Sequence, residues 1–216
     1  MAERFANRRE AGAALARALA PLVEGEDAIV LALPRGGVPV GYEIARAIGA
    51  PLDVLVVRKL GVPWHEELAM GALASGGLRV LVPSVVNALG VSPAEVERVT
   101  AAEADELARR ESSYREGRPF PTLRDRTVIL VDDGLATGAS MEAAVAAVRT
   151  AEPARVIVAV PVAPIEAVAR MREIADDVVC LATPEPFEAV GLWYDDFSQT
   201  TDDEVRALLR ARDEVH

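Results

Sequence analysis

Apolar residues along this chain fall into short continuous runs, and stretches of helical period separate them. Ala28 to Leu33, Asp53 to Val57, Thr127 to Val131, Arg155 to Val160 and Val178 to Leu181 are strand-length and rich in Val, Ile and Leu. Runs that are apolar at nearly every position, rather than at every second one, predict strands buried on both faces. Leu78 to Val82 is a further short strand candidate. Asn7 with Glu10 three residues later predicts a capped helix carrying Ala11, Leu15 and Leu19 on one face until Pro21. Val38 to Ile48, Ser140 to Thr150 and Ile165 to Ile174 read as helices. Ser92, Pro93 and Glu95 open a long one that runs to about Tyr114, and its Glu/Arg density predicts a solvated face. Thr201 and Glu204 cap a last helix, Asp202 to Arg212.

Strands alternating with helices predict an α/β fold: a parallel sheet flanked by helices, right-handed crossovers, and ligands at the carboxyl ends of the strands. The 216 residues suit one domain. From Arg58 to Gly77 no clear period emerges, and Gly61, Pro63, Gly71, Gly76 and Gly77 punctuate the segment. It reads as a long loop, and long loops in compact domains are usually functional or disordered.

Charge narrows the function. A net charge of −11 argues against a nonspecific nucleic-acid binder, which needs a broad basic surface. The longest apolar runs are strand-sized and interrupted by Pro, Gly or charge, so no membrane span is expected. Met1 to Arg9 lacks the apolar centre of a signal peptide, and a cytoplasmic protein is the expectation. The lone cysteine, Cys180, forms no intramolecular disulfide and reads as a strand thiol. Of the 23 basic residues, 22 are arginine and one is Lys59, whose compact, mobile charge an arginine does not reproduce. His65, beside Glu66 and Glu67, reads as a solvated loop residue, with proton transfer as the functional alternative. The only other histidine is His216, so a two-histidine metal site is not expected.

The richest stretch is Val128-Ile129-Leu130-Val131-Asp132-Asp133-Gly134-Leu135-Ala136-Thr137-Gly138-Ala139-Ser140. A buried strand delivers two carboxylates to its carboxyl end, a glycine turn follows, and a helix starts among hydroxyl residues. Free N–H groups at a helix start, with the Thr137 and Ser140 hydroxyls, suit a phosphate monoester, and the helix dipole favours its charge. Gly138 lets the backbone approach closely. Asp132 and Asp133 suit a vicinal diol such as that of ribose. Neither a Walker loop nor the dinucleotide Gly-x-Gly-x-x-Gly pattern occurs here. An acidic pocket of the receiver type would instead place its phosphoacceptor and acidic pair on separate early strands.

This segment resembles the phosphoribosyl-pyrophosphate motif of type I phosphoribosyltransferases. Leu33-Pro34-Arg35-Gly36-Gly37 resembles the family's pyrophosphate loop, and Arg58-Lys59-Leu60-Gly61 is similar to the start of its mobile catalytic loop. The resemblance covers about Ala28 to Thr150 well and the two ends loosely. It implies a core at about 28–182, a mobile loop at about 59–77, and a small hood built from the chain ends, including about 183–216. The implied reaction transfers ribose 5-phosphate from phosphoribosyl pyrophosphate to a nitrogenous acceptor such as a nucleobase, with Mg²⁺ held mainly by the substrate. The alternative is a noncatalytic regulator that binds the same sugar phosphate.

The resemblance gives catalytic roles to Arg58, Lys59, Asp132 and Asp133. It gives substrate contacts to Arg35, Gly36, Gly37, Gly134, Ala136, Thr137, Gly138, Ala139 and Ser140. A cis peptide between Pro34 and Arg35 is implied as well. Ala136 stands where many 6-oxopurine enzymes have Asp, as in adenine and orotate types, whereas Val190 to Asp195 resembles the hood of hypoxanthine types. The acceptor therefore stays open, with Phe187, Trp193 and Tyr194 as base-stacking candidates and Asp195 as a metal candidate. A homodimer is compatible with the resemblance, and neither nucleic acid nor membrane is an expected partner.

Overall fold

A computed structural model describes residues 4–213; His216 lies outside them. The elements run α1 (Arg8–Leu19), β1 (Ala28–Ala32), α2 (Gly37–Ile48), β2 (Leu52–Val54), β3 (Val57–Val62), β4 (His65–Ala74), β5 (Leu78–Leu81), α3 (Pro83–Ala88), α4 (Pro93–Arg115), β6 (Thr127–Val131), α5 (Ala139–Arg149), β7 (Arg155–Val162), α6 (Ile165–Ile174), β8 (Asp177–Ala182) and α7 (Asp202–Asp213). The expected α/β fold is present. Its central sheet has the order β2-β1-β6-β7-β8, and every neighbouring pair is parallel.

Strand residues alternate between two apolar layers, as a period of two requires. Val30, Ala32, Ile129 and Val131 face Leu15, Leu19 and Ile44 of α1 and α2. Ile29, Leu31, Val128 and Leu130 face Met141, Val145 and Met171 of α5 and α6. Helix starts follow the capping rules. Asn7 accepts the Glu10 N–H at 3.0 Å, and Ser92 and Glu95 form a complete capping box. Thr201 accepts the Glu204 N–H at 3.1 Å.

The segment 58–77 departs from its expected form. Rather than a structureless loop it forms β3 and β4, which with β5 make an antiparallel three-stranded arm. Two of the glycines that punctuate it sit where backbones approach too closely for a side chain. A Cβ on Gly61 would lie 2.5 Å from the Glu66 carbonyl oxygen, and one on Gly71 would overlap that of Val80. The strand predicted at Asp53 to Val57 is likewise divided, because the chain leaves the central sheet after Val54 and enters the arm at Val57.

The segment before α1 meets the one that follows β8, and this contact is called the hood below. Phe5 donates its N–H to the Trp193 carbonyl at 2.9 Å and accepts the Asp195 N–H at 2.9 Å. Beyond this contact the chain continues into α7, which packs against α2, α4 and β2. Among the described residues no helix is long and apolar enough to cross a membrane.

Candidate active site

The chain leaves β1 toward β2 on one side, while β6 pairs with β1 on the other. A parallel sheet opens a crevice at the carboxyl ends of such a strand pair. Two loops meet there. After β1, the Pro34–Arg35 peptide is cis, as the resemblance implied, and Gly36 and Gly37 lead directly into α2. After β6 come Asp132 and Asp133.

Glycine is what lets these loops touch. A Cβ on Gly36 would overlap the Asp133 carboxylate, with its Cγ at 2.6 Å. A Cβ on Gly37 would lie 2.7 Å from the Val131 carbonyl oxygen. Gly134 is buried beneath the hood, and a Cβ there would meet Val190 at 2.5 Å. Gly134 thus sets how closely the hood approaches the loop.

The two carboxylates are more enclosed than a free strand terminus would leave them. Asp132 Oδ1 accepts the Asp133 N–H at 2.8 Å. Burial, reinforced by the neighbouring charge of Asp133, pushes the Asp132 carboxyl well above the usual aspartate range. Burial raises Asp133 too, and the Arg8 guanidinium opposes it, its Nε donating to Oδ2 at 2.7 Å. Tyr194, a stacking candidate, belongs to the core. Its hydroxyl donates to the Asp133 carbonyl at 2.6 Å, and its ring packs against Phe5 and Phe197. Burial and the neighbouring Asp133 raise its phenol far above the usual range.

Downstream, Gly138 takes φ +82°, a left-handed conformation that suits glycine, and α5 starts at Ala139. The first N–H groups of a helix lack intrahelical acceptors, so this start offers donors to an anion. Ala136, Thr137, Ala139 and Ser140 are exposed around it. The Arg170 guanidinium of α6 donates to the Thr137 carbonyl and, at 2.9 Å, to Glu142, which fixes the loop from behind.

A cleft of about 410 Å³ opens between these loops and α4. Pro34, Arg35, Asp132 and Ser140 line one side; Arg109, Arg110, Tyr114 and Asp202 line another. Tyr114 donates its hydroxyl to Asp202 Oδ1 at 2.8 Å, and Arg35 faces the same carboxylate at 3.8 Å. Burial, followed by that hydrogen bond, pushes the Tyr114 phenol up to about 12. The sequence reading missed Arg8, Arg109, Arg110, Tyr114 and Asp202. It treated the charges of α4 as solvated, whereas this end of the helix borders the cleft and Arg115 is buried against Asp53 at 2.9 Å.

Other expected residues lie apart. Arg58 and Lys59 border a separate depression between the arm and α4. Arg58 pairs with Glu103 at 2.7 Å, and Lys59 Nζ donates to the Glu67 carbonyl at 3.0 Å. Phe187 and Trp193 are half-buried in the segment after β8. Asp195 is exposed and faces Arg4 at 3.3 Å. The described residues assemble no cluster of three His, Cys, Asp or Glu side chains that could hold a metal.

Known proteins resemble this chain in sequence and in fold. The phosphoribosyl transferase domain family matches residues 2–195. A crystal structure of the Thermus thermophilus protein TT1426 is 49% identical and superposes with a TM-score of 0.86, covering 95% of this chain and 97% of that one. Curated Mycobacterium tuberculosis proteins, named provisionally as phosphoribosyl transferases, are 49% identical over 205 residues. That match covers 95% of this chain but 46% of theirs, so the chain spans about half their length. A Neisseria gonorrhoeae protein solved with bound ppGpp shares the fold at 16% identity, with a TM-score of 0.51 and 98% of each chain covered.

Proposed function

This chain belongs to the phosphoribosyl transferase domain family, and from that premise we propose that it transfers ribose 5-phosphate from phosphoribosyl pyrophosphate to a nitrogenous acceptor, releasing pyrophosphate. The observation that carries the reading is the contact of two loops at the carboxyl ends of β1 and β6. There Gly36 leaves room for the Asp133 carboxylate and for no side chain of its own.

Each part has a task in this reaction. The start of α5, with Thr137 and Ser140, receives the 5-phosphate. Asp132 and Asp133 accept hydrogen bonds from the ribose diol, and their charge favours the cationic sugar that forms as the anomeric C–O bond breaks. Arg35 and the backbone N–H groups of Arg35 to Gly37 oppose the negative charge growing on the departing pyrophosphate. Mg²⁺, which the family implies, would be held mainly by the oxygens of the substrate, with Asp195 as the protein candidate, and would offset the charge of the leaving pyrophosphate. Lys59 takes part only if the arm shifts toward the cleft, since it now rests on Glu67. Arm closure would also exclude water, which otherwise hydrolyses the activated sugar.

The test is pyrophosphate release from phosphoribosyl pyrophosphate with Mg²⁺ and a panel of nucleobases. Acceptor-dependent release is the expected result, and the active base names the acceptor. Binding without release for any base would replace the transferase with a regulator that retains the sugar-phosphate site. Absence of binding would remove the reading altogether.

A further inference from the structure

Arg8 sits 125 residues away in sequence from the carboxylate that it touches. Its Nε donates to Asp133 Oδ2 at 2.7 Å, and its Nη1 donates to the Ser198 carbonyl at 2.7 Å. The guanidinium lies 4.0 Å from the centroid of the Phe197 ring. Both partners of the ion pair are nearly enclosed, with side chains 11% and 14% exposed. A surface ion pair is worth little, but an enclosed one holds two groups in fixed register, because neither can return to water without the other. Among the described residues, Arg8 is the cation paired with the carboxylates that end β6.

We propose that Arg8 is a positioning residue that keeps Asp133 ionised and aimed, so that this carboxylate acts as an acceptor for the ribose diol. The inference rests on the sugar-phosphate reading above. One Asp133 oxygen takes the Arg8 Nε, which leaves lone pairs on the carboxylate for sugar hydroxyls. A protonated carboxyl would present a donor where an acceptor is required. The groups facing Asp133 are Asp132 at the end of β6, Arg8 on α1 and the Tyr194 hydroxyl in the hood, with Asp196 near Arg8. The others are two carboxyls and a phenol held neutral, so removing Arg8 takes away the cation that opposes burial at Asp133 and leaves a backbone hydrogen bond against it. The aromatic and carbonyl contacts also explain why arginine suits this place. Its planar fork reaches Asp133 and Ser198 together while stacking on Phe197, which a lysine ammonium does not do.

Two measurements on Arg8→Gln and Arg8→Lys test the proposal. The first follows the Asp133 carboxyl carbon by ¹³C NMR through a pH titration of the ligand-free protein. In Arg8→Gln its midpoint should move up, and in Arg8→Lys it should move less. The second measures calorimetric affinity for phosphoribosyl pyrophosphate at several pH values, taken as the ratio of variant to wild type so that titration of the ligand cancels. An upward shift of one pH unit should make Arg8→Gln lose about tenfold more affinity than wild type on acidification, with partial rescue by Arg8→Lys. An unmoved Asp133 midpoint in folded Arg8→Gln would overturn the proposal. So would an affinity ratio that stays constant with pH, since that is what a purely structural role produces. If wild type itself does not bind the sugar phosphate, the functional reading falls, while the NMR result still decides whether Arg8 controls the ionisation of Asp133.

Discussion

Gly36→Ala perturbs the one contact on which the functional reading depends. Gly36 has φ −60° and ψ −33°, a conformation that alanine adopts freely. On backbone grounds alone the change would stabilise the protein by about 0.4–1 kcal/mol. Space decides against it. The new methyl would lie 2.6 Å from Asp133 Cγ, whereas carbon atoms in contact lie about 3.5–4.0 Å apart. The carboxylate must therefore retreat by roughly 1 Å, and it is held at 2.7 Å by Arg8. Overpacking of this kind costs about 1–3 kcal/mol, which at this chain length lowers the melting temperature by about 2–12 °C. Binding should suffer more. Losing one charge-assisted hydrogen bond to the diol, worth about 1.5–3 kcal/mol, weakens phosphoribosyl pyrophosphate binding by roughly 10- to 150-fold. Thermal melting and calorimetry on one preparation read both quantities. A variant that melts like wild type and binds within about threefold of it would show that the two loops do not form one binding surface.

Two further expectations follow from the site. Asp132 has its folded-state pKa raised well above the ordinary aspartate value, so its neutral form favours the fold at low pH, and stability is lost as pH rises through the raised value. Asp132→Asn removes that titration while its amide oxygen can still accept the Asp133 N–H. Urea unfolding at mildly acidic and at neutral pH should therefore show a smaller loss of stability in the variant than in wild type; an equal loss would mean that Asp132 is not the titrating group. Lys59→Ala should bind phosphoribosyl pyrophosphate within several-fold of wild type yet turn over roughly 10²–10³ more slowly, as expected for a contact made only in the transition state. Near-normal turnover would leave the chain's only lysine as a surface residue of the arm.

The central sheet was legible because its physics is local. A strand buried on both faces must be apolar at nearly every position, and Ala28 to Leu33 and Thr127 to Val131 are. Capping is local as well, which is why Asn7, Ser92 and Thr201 marked helix starts correctly. The arm was not legible for the opposite reason. Only Leu60 and Val62 in β3 alternate cleanly, and the first four residues of β4, His65 to Leu68, are exposed on both sides of the strand. Gly61 and Gly71 look like breakers in sequence. They fill their places in the arm because a neighbouring backbone occupies the space of a Cβ, and no local pattern announces that neighbour.

The same division runs through the site. Residues 33–37 and 128–140 are contiguous and carry their chemistry in order, so sequence reading reached them. Arg109 and Arg110 do form the helical pairs with Glu106 that a solvated face predicts, at 2.8 Å each. What the pattern could not contain is that the cleft opens beside them. Arg8 is the sharper case. Within α1 it is one arginine in the first turn of an amphipathic helix, and its partner is fixed only when β6, the hood and α1 converge. That convergence bears on how the site is tuned. Burial raises both carboxylates, yet a single guanidinium is paired with them, so in the free protein Asp133 is the partner held toward ionisation and Asp132 is the one held toward its proton. A vicinal diol would bring two hydroxyl donors beyond the Asp133 N–H that Asp132 already accepts. In the proposed reaction the sugar would then do more than fill a cavity: its hydroxyls would supply the hydrogen bonds that make a second adjacent negative charge tolerable as the ribose turns cationic.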